Sequence, residues 1–125
     1  MTKSTQRISE AEMQLMELLW DESPLGAAEL AQRVPVERGW KLPTVKTLLS
    51  RLLAKGAVAA EAEGRSYLYR PAIEREAVAA RQAGRLVDRL FGGRVSPLVA
   101  QLAEQREIDP ADLDELEELV RKLRK

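Results

Sequence analysis

The sequence predicts a mainly α-helical fold with one small β-hairpin, arranged as a winged helix-turn-helix followed by a helical dimerisation region. Two observations lead to this prediction. In residues 40–70, a helix with one apolar and one basic face runs directly into two short segments in which side-chain type alternates. After residue 71 the apolar residues recur at helical spacing only. The composition agrees, because only 4% of the residues are aromatic and alanine and leucine supply much of the hydrophobic content.

The first two helices are predicted from a capping signal and from apolar spacing. Ser9 and Glu12 have the S-x-x-E spacing of a capping box, which starts a helix that ends near Asp21. After a turn, a second helix spans residues 27–34. The side chains expected to face the core are Met13, Leu15, Met16, Leu18, Leu19, Trp20, Ala28, Leu30, Ala31 and Val34. We also expect Trp20 and Trp40 to pack in the core rather than to stack on a ligand.

The third helix has two chemically different faces. It begins at Pro43, whose ring fixes φ and whose missing N–H would have no partner in the first turn of a helix, and Gly56 ends it. The apolar stripe consists of Val45, Leu48, Leu49, Leu52 and Leu53. The opposite face carries hydroxyls and cations, namely Thr44, Lys46, Thr47, Ser50, Arg51 and Lys55. The alternative to a binding surface is that this basic face is an ordinary solvated helix surface.

A hairpin follows the third helix and forms the predicted wing. Its strands span residues 57–62 and 66–70 and are joined around Gly64, so that Arg65 lies near the tip. Alternation places Glu61 and Glu63 on one face of the strand, where they would repel phosphates. We therefore expect that face to turn away from a duplex and Arg65 alone to reach the DNA backbone.

The remaining helices are predicted at residues 72–91 and 96–105 and from Pro110 onward, with Asp109 as the N-cap of the last.

Three amphipathic helices in 55 residues bury too little apolar surface to be stable alone, so we expect a second copy of the chain to cover them. The residues expected at this dimer interface are Ile73, Leu86, Leu90, Leu98, Leu102, Leu116 and Leu119. The alternative is a monomer in which these helices fold back on the winged helix. The domains predicted are 1–71 for DNA binding and 72–125 for dimerisation.

The charge distribution favours DNA as the partner of the third helix and the hairpin. The chain has 20 basic and 20 acidic residues, but residues 8–37 have a net charge of −6 and residues 38–70 a net charge of +5. We expect Thr44, Lys46 and Thr47 to contact base edges. The expected phosphate contacts are Ser50, Arg51, Lys55 and Arg65. The alternative function, a protein-interaction module that does not bind DNA, predicts a neutral or acidic face instead.

The residues that are missing exclude most catalytic and metal sites. There is no cysteine and no histidine, so thiolate or imidazole metal sites, Cys–His nucleophiles and Ser–His–Asp triads cannot form. We therefore expect no enzymatic activity, no metal and no cofactor. No apolar run approaches the roughly 18 residues that span a bilayer, so we expect a cytoplasmic protein without a membrane partner.

Several blocks of sequence resemble those of the BlaI/MecI penicillinase-repressor family of winged-helix transcriptional regulators. They are ISEAEMQLMELLW at 8–20, Trp40, TVKTLLSRLLAKG at 44–56, GRSYLYRP at 64–71 and DLDELEELV at 112–120. The resemblance implies a homodimer whose winged helices bind dyad-symmetric operators of bacterial promoters. It also implies repression that is relieved on induction, as in the control of β-lactam resistance.

The resemblance further implies how repression ends. In the best-known members a protease cuts the dimerisation region. The motif at their cleavage site corresponds to Gln101 and Leu102 in this chain. The resemblance therefore implies an inducing protease as a further partner of the protein. Those members have Asn-Phe at this position, so the chain departs from the pattern. The alternative is that Leu102 is simply a core leucine of the middle helix. A copper-sensing branch of the family uses cysteines, which this chain lacks.

Overall fold

Residues 7–125, the part of the chain that the computed structural model describes, form six α-helices and a three-stranded antiparallel sheet, which confirms the predicted fold class. The elements are α1 Glu10–Asp21, β1 Leu25–Gly26, α2 Ala27–Arg33, α3 Leu42–Ala54, β2 Val58–Glu63, β3 Ser66–Pro71, α4 Arg75–Phe91, α5 Val95–Gln105 and α6 Pro110–Leu123. A short 3-10 turn, Val36–Arg38, lies between α2 and α3. The chain divides into two compact units, of which the first extends to Ala79 and the second is residues 80–125.

Most elements lie within one residue of their predicted bounds, and the differences arise from contacts distant in sequence. β1 was not predicted, because its two residues become a strand only by pairing with Tyr69 and Leu68 of β3. α4 begins at Arg75 rather than at residue 72. The segment before Arg75 stays outside the helix, because the Ala72 N–H donates to the Ala57 carbonyl at 2.8 Å. Local sequence signals contain no information on either partner.

The core of the first unit lies between α1, α2, α3 and the sheet. Its buried residues are Leu15, Met16, Leu19, Leu25, Leu30, Val34, Val45, Leu48, Leu49, Leu52, Ala57 and Val58. The predicted stripe of α3 is therefore confirmed except for Leu53, which is 40% exposed. Leu53 follows Leu52 by about 100° around the helix, which carries its side chain off the buried face. Ala28 of α2 is also exposed, contrary to the prediction.

Two glycines with positive φ shape the end of α3 and the hairpin. Gly56 has φ +76°, and just beyond it the Ala57 N–H donates to the Leu52 carbonyl at 2.9 Å, which satisfies a carbonyl at the end of the helix. Gly64 has φ +63° in the two-residue turn between β2 and β3, a conformation that side chains with a Cβ rarely adopt. Both predicted break points are confirmed.

A buried carboxylate links the first turn of α1 to the end of α3. Glu12 is 1% exposed, and its Oε1 accepts from the Ser9 backbone N–H at 2.9 Å and from Lys55 Nζ at 2.5 Å. The Ser9 hydroxyl in turn accepts from the Glu12 N–H, which completes the predicted capping box. Burial alone raises the pKa of the Glu12 carboxyl, but the hydrogen bonds from Lys55 and Ser9 and the lysine charge outweigh it, so the pKa lies below its ordinary value.

Both tryptophans pack against the core, as expected. The Trp20 indole N–H donates to the carbonyl of Ile73 at 3.0 Å. The Arg75 guanidinium lies 5.4 Å from the centre of the Trp20 ring and forms ion pairs with Glu17 at 3.2 Å and Asp21 at 3.1 Å. These contacts attach the first turn of α4 to α1. Ile73 itself packs against this core, which leaves little of it for a dimer interface.

The second unit lacks a closed core. None of residues 80–125 is buried, although its helices are amphipathic as predicted. Asp109 caps α6, since its Oδ1 accepts from the Ala111 N–H at 3.0 Å. An open groove of about 850 Å³ between α5 and α6 has Val99, Leu102, Leu116 and Leu119 among its lining residues. Within residues 7–125, no helix combines the length and the apolar character needed to cross a bilayer.

We expect Glu12→Gln to destabilise the protein by about 1–3 kcal/mol, because the substitution leaves the largely buried Lys55 ammonium without its counter-charge. Glutamine still supports the capping box, so the loss reports the ion pair rather than the cap. Urea unfolding followed by tryptophan fluorescence measures the change. Glu22→Gln, which removes an exposed ion pair with Arg33, is the matched control and should change stability much less. Equal effects of the two substitutions would contradict the central role of Glu12.

The lowered pKa of Glu12 predicts acid sensitivity. Because the carboxyl binds protons less readily in the folded protein than in the unfolded chain, its stabilisation is fully present above the ordinary pKa of 4.5 and is lost as the pH falls through the folded pKa. The unfolding free energy of the wild type should therefore decline more steeply below pH 4.5 than that of Glu12→Gln. Glu22→Gln should keep most of the wild-type slope. Parallel curves for Glu12→Gln and the wild type would rule out this linkage.

Candidate nucleic-acid interface

The exposed side of α3 presents a contiguous set of polar side chains. The stripe of apolar residues on the opposite side fixes the rotation of the helix against the core, so that the predicted polar positions face outward. We call this surface the recognition face, and its residues, all exposed, are Thr44, Lys46, Thr47, Ser50 and Arg51. Short hydroxyl side chains predominate near the N-terminal end, where a helix in the major groove approaches base edges.

The recognition face and the wing share one groove. Its volume is about 590 Å³, and its walls include Lys46 and Ser50 from α3 and Arg65 from the hairpin turn. The remaining lining residues are Gly26, Ala27, Ala28, Glu29, Leu42, Ser66, Tyr67, Leu68 and Tyr69. We call this the wing groove. Three side chains assigned to DNA from sequence, two of them cations, thus come together although they belong to elements separated by a strand.

The Thr47 hydroxyl has a defined orientation. Its Oγ1 donates to the carbonyl of Pro43 at 3.0 Å, one turn earlier in α3. Because the single hydroxyl proton is used in this bond, the oxygen offers only its lone pairs to a ligand. The side chain is therefore suited to accept a hydrogen bond, such as that from an exocyclic amino group of adenine or cytosine in the major groove.

Lys55 does not join the other predicted DNA contacts. Its Nζ lies 2.5 Å from Glu12 Oε1 and 2.5 Å from the Arg7 carbonyl, and only 22% of the side chain is exposed. The ammonium is therefore occupied inside the domain rather than offered to a phosphate. Sequence periodicity placed Lys55 on the polar side of α3, but the charge that neutralises it comes from a residue 43 positions earlier.

One of the two acidic residues of the wing is paired within the hairpin. The strand register pairs Glu61 with Leu68 and Glu63 with Ser66, so both carboxylates share a face with Arg70. Arg70 forms an ion pair with Glu61 at 3.1 Å. Neither carboxylate lines the wing groove, whereas Arg65 does. This arrangement supports the expectation that Arg65 is the wing residue that reaches a duplex, which remains a prediction.

Tyr67 is a candidate contact that the sequence reasoning did not assign. Tyr67 is 54% exposed and lines the wing groove. Tyr69, two positions along the same strand face, also borders this groove but packs against the core. The alternation of the two tyrosines was visible in the sequence. What was missing was the point along the strand at which the core ends and solvent begins, and this depends on the packing of α1 and α3.

The chain is similar to known repressor proteins over most of its length. A family model described as penicillinase repressor matches residues 8–122. The chain is 25% identical to the penicillinase repressor of Bacillus licheniformis over 118 residues, which cover 94% of this chain and 92% of that protein. The solution structure of the DNA-binding domain of the repressor BlaI is 34% identical with a TM-score of 0.54, covering 62% of this chain and 93% of that one.

A second solved structure has DNA bound. It is the Bacillus licheniformis BlaI monomeric form in complex with the blaP half-operator, which is 32% identical with a TM-score of 0.50 and covers 58% of this chain and 88% of that one. The shared region is the winged helix, which contains the recognition face and the wing groove. The chain is thus similar to proteins that bind operator DNA.

The wing geometry predicts different outcomes for its two arginines. Arg65→Ala should weaken binding to all duplexes similarly and reduce the slope of log affinity against log salt concentration by about one unit, because one phosphate contact is lost. Arg70→Ala is the matched control within the same hairpin and should leave the slope unchanged, since Arg70 is paired with Glu61. Fluorescence anisotropy over a salt series measures both slopes. An unchanged slope for Arg65→Ala would mean that the wing is not engaged.

Proposed function

The chain belongs to the penicillinase repressor family of DNA-binding transcriptional repressors, and we propose that it acts as a homodimer that occupies dyad-symmetric operators at bacterial promoters. The family match also agrees with the expectation that the protein is not an enzyme. Repression in this proposal is steric, since a promoter covered by the dimer is closed to transcription. The signal that relieves repression reaches the second unit rather than the winged helix.

The observation that carries the proposal is the wing groove beside the recognition face. Lys46 and Arg65 bring two positive charges to its walls against the one negative charge of Glu29, and the Ser50 hydroxyl lines the same groove. Thr44 and Thr47 flank Lys46 on the recognition face. Backbone-directed cations set the register of a protein on a duplex, while hydrogen-bonding side chains read the bases. A surface that combines both within one helix and one hairpin is suited to sequence-specific binding.

Each exposed side chain takes a role that follows from its reach and chemistry. Thr44, Lys46 and Thr47, in the first half of α3, approach base edges in the major groove. The phosphates on either side of the major groove of the DNA are contacted by Ser50, Arg51 and Arg65. Lys55 has no part in this proposal, because it neutralises Glu12.

The second unit supports dimer formation. A soluble domain does not usually leave so many large apolar side chains in contact with water, and within residues 80–125 the exposed ones include Leu90, Val95, Val99, Leu102, Leu113, Leu116, Leu119, Val120 and Leu123. A second copy offers the same surface in return, which is how a two-fold interface is built. The proposed interface contains Leu86, Leu90, Leu98, Leu102, Leu116 and Leu119. Two linked winged helices then read the two halves of a dyad-symmetric operator.

Proteolysis within this interface is the proposed route of induction. Gln101 and Leu102 are both exposed on α5, and Leu102 also lines the groove between α5 and α6. A cut between them separates the two halves of the apolar surface that holds the dimer. Because proteases act on extended backbone, α5 must unwind locally before the cut. Mass spectrometry of the chain from induced cells tests this step, since a fragment that ends at Gln101 supports it and a fully intact chain in induced cells contradicts it.

The proposed function is tested by DNase footprinting on the DNA upstream of the protein's own gene, with a salt titration of affinity for the same DNA and for a random duplex. A protected dyad with steep salt dependence is the expected result. It also yields the half-site sequence. Absence of both protection and preference over random DNA at moderate salt would overturn the proposal in favour of a protein-interaction module.

Thr47→Val should alter sequence preference more than overall affinity. Valine keeps the shape of the side chain but removes the oxygen that accepts a hydrogen bond, so discrimination at one base pair should fall by about 0.5–1.5 kcal/mol, the contribution of one hydrogen bond. Thr47→Ser retains the oxygen and is the matched control. Binding to a set of single-base operator variants measures the change. Equal losses on operator and random DNA would contradict the assignment of Thr47 to a base edge.

Leu116→Glu should convert the dimer to monomers, because a carboxylate in a two-fold apolar interface is buried without a partner in both copies. Leu53→Glu is a matched control, since both leucines are 40% exposed and Leu53 belongs to the first unit. Sedimentation velocity over a concentration series measures the oligomeric state. A Leu116→Glu protein that remains dimeric while folded would show that the interface lies elsewhere.

A further inference from the structure

Arg38 makes an unusual number of contacts for a residue in a connecting turn. Its guanidinium donates to both carboxylate oxygens of Glu10, with distances of 3.2 and 2.6 Å, and to the side-chain oxygen of Gln14 at 3.1 Å. It also lies 4.9 Å from the centre of the Trp40 ring. Glu10 and Gln14 are one turn apart on the same face of α1, so the planar guanidinium spans both.

These contacts anchor a segment that has little else to hold it. The 3-10 turn between α2 and α3 is closed by local hydrogen bonds from the Arg38 N–H to Pro35 and from the Gly39 N–H to Val36, both at 3.0 Å. The apolar side chain of this turn, Val36, is 91% exposed and contributes no burial. Attachment to the rest of the domain therefore depends on Arg38 and on Trp40, which packs against the core.

The position of this turn determines where α3 begins. Lys41, the N-cap of α3, follows Arg38 by three residues, and its carbonyl accepts the first-turn hydrogen bond from the Val45 N–H at 3.2 Å. The first two turns of α3 carry Thr44, Lys46 and Thr47. A shift of the segment would move these side chains relative to the wing groove without changing the composition of the surface.

We propose that Arg38 is a positioning residue for DNA recognition, which holds the start of α3 in place through Glu10, Gln14 and Trp40 and does not itself contact DNA. The inference rests on the proposed function. Its physical basis is that α1 then holds both ends of α3, since Glu12 binds Lys55 at the other end. A helix fixed at one end only would still fold, but the residues that read bases would be less well placed.

Substitutions that change charge distinguish a positioning role of Arg38 from a direct contact between Arg38 and a phosphate. If Arg38 bound phosphate, Glu10 would weaken DNA binding and its neutralisation would strengthen it. If Arg38 positions α3, then Glu10→Gln weakens discrimination just as Arg38→Gln does, although the two substitutions change net charge in opposite directions. The opposite signs make Glu10→Gln the decisive variant.

The experiment compares Arg38→Gln, Glu10→Gln and the control Arg33→Gln, which breaks a surface ion pair with Glu22 in the same unit. Affinities are measured for a duplex carrying the footprinted sequence and for a random duplex of equal length, at a temperature where every variant is folded. For both test variants we expect the ratio of the two affinities to fall by about two- to fivefold, the range for loss of one largely exposed ion pair. The salt slope should be unchanged. Arg33→Gln should leave the ratio unaltered.

Amide hydrogen exchange of the free protein provides a readout that does not require DNA. We expect the Val45 amide to exchange faster in Arg38→Gln and Glu10→Gln than in Arg33→Gln, while amides near the end of α3 stay unchanged. A lower salt slope with equal losses on both duplexes for Arg38→Gln would overturn the inference in favour of a phosphate contact. An unaltered affinity ratio or unaltered Val45 exchange would also overturn it. A wild type that does not prefer the footprinted sequence contradicts the proposed function instead, and exchange at Val45 then still decides the positioning role.

Discussion

The buried carboxylate of Glu12 is the constraint on which the arrangement of the first unit depends. It accepts hydrogen bonds from the Ser9 backbone at the start of α1 and from Lys55 at the end of α3. A charged group with almost no access to water is tolerated only where its partners offset the cost of desolvation, so the two helices must keep the distance that maintains these bonds. The same bonds withdraw Lys55 from the recognition face, so that the cations of α3 divide between an internal ion pair and the exposed surface.

α1 makes polar contacts with residues on both sides of the recognition face. Its first two turns hold Lys55 and Arg38, which lie at opposite ends of α3. Its last turns hold Trp20 and Asp21, which bind the segment leading into α4. The rotation of α3 follows from its apolar stripe, whereas its placement along α1 follows from these polar contacts. The position of the recognition face therefore depends on residues that lie outside it.

The two units differ in how far each satisfies its own apolar surface. The first closes a core between three helices and a sheet, and it presents charge and hydroxyls to solvent. Residues 80–125 contain no buried side chain and leave a groove of about 850 Å³ between α5 and α6. The proposed association with a second copy would stabilise a surface of this kind, and the oligomeric state would then depend on the integrity of those two helices. This contrast is the reason that the proposed function assigns DNA binding to the first unit and association with a second copy to the second.

Local signals in the sequence determined the helices, the hairpin, their caps and most of the recognition face. The Ser9 and Glu12 spacing, Pro43, Gly56 and Gly64 each act through a few neighbouring residues, so they can be interpreted without knowledge of the fold. Only the tertiary structure decided which of the polar residues remain available to contact a ligand. Lys55 and Arg38 are both cations within the basic segment, yet each binds a carboxylate of α1, 43 and 28 positions earlier. β1, the late start of α4 and the groove that unites Lys46 with Arg65 have the same origin, because contacts between distant residues arise from packing and leave no periodic trace in the chain.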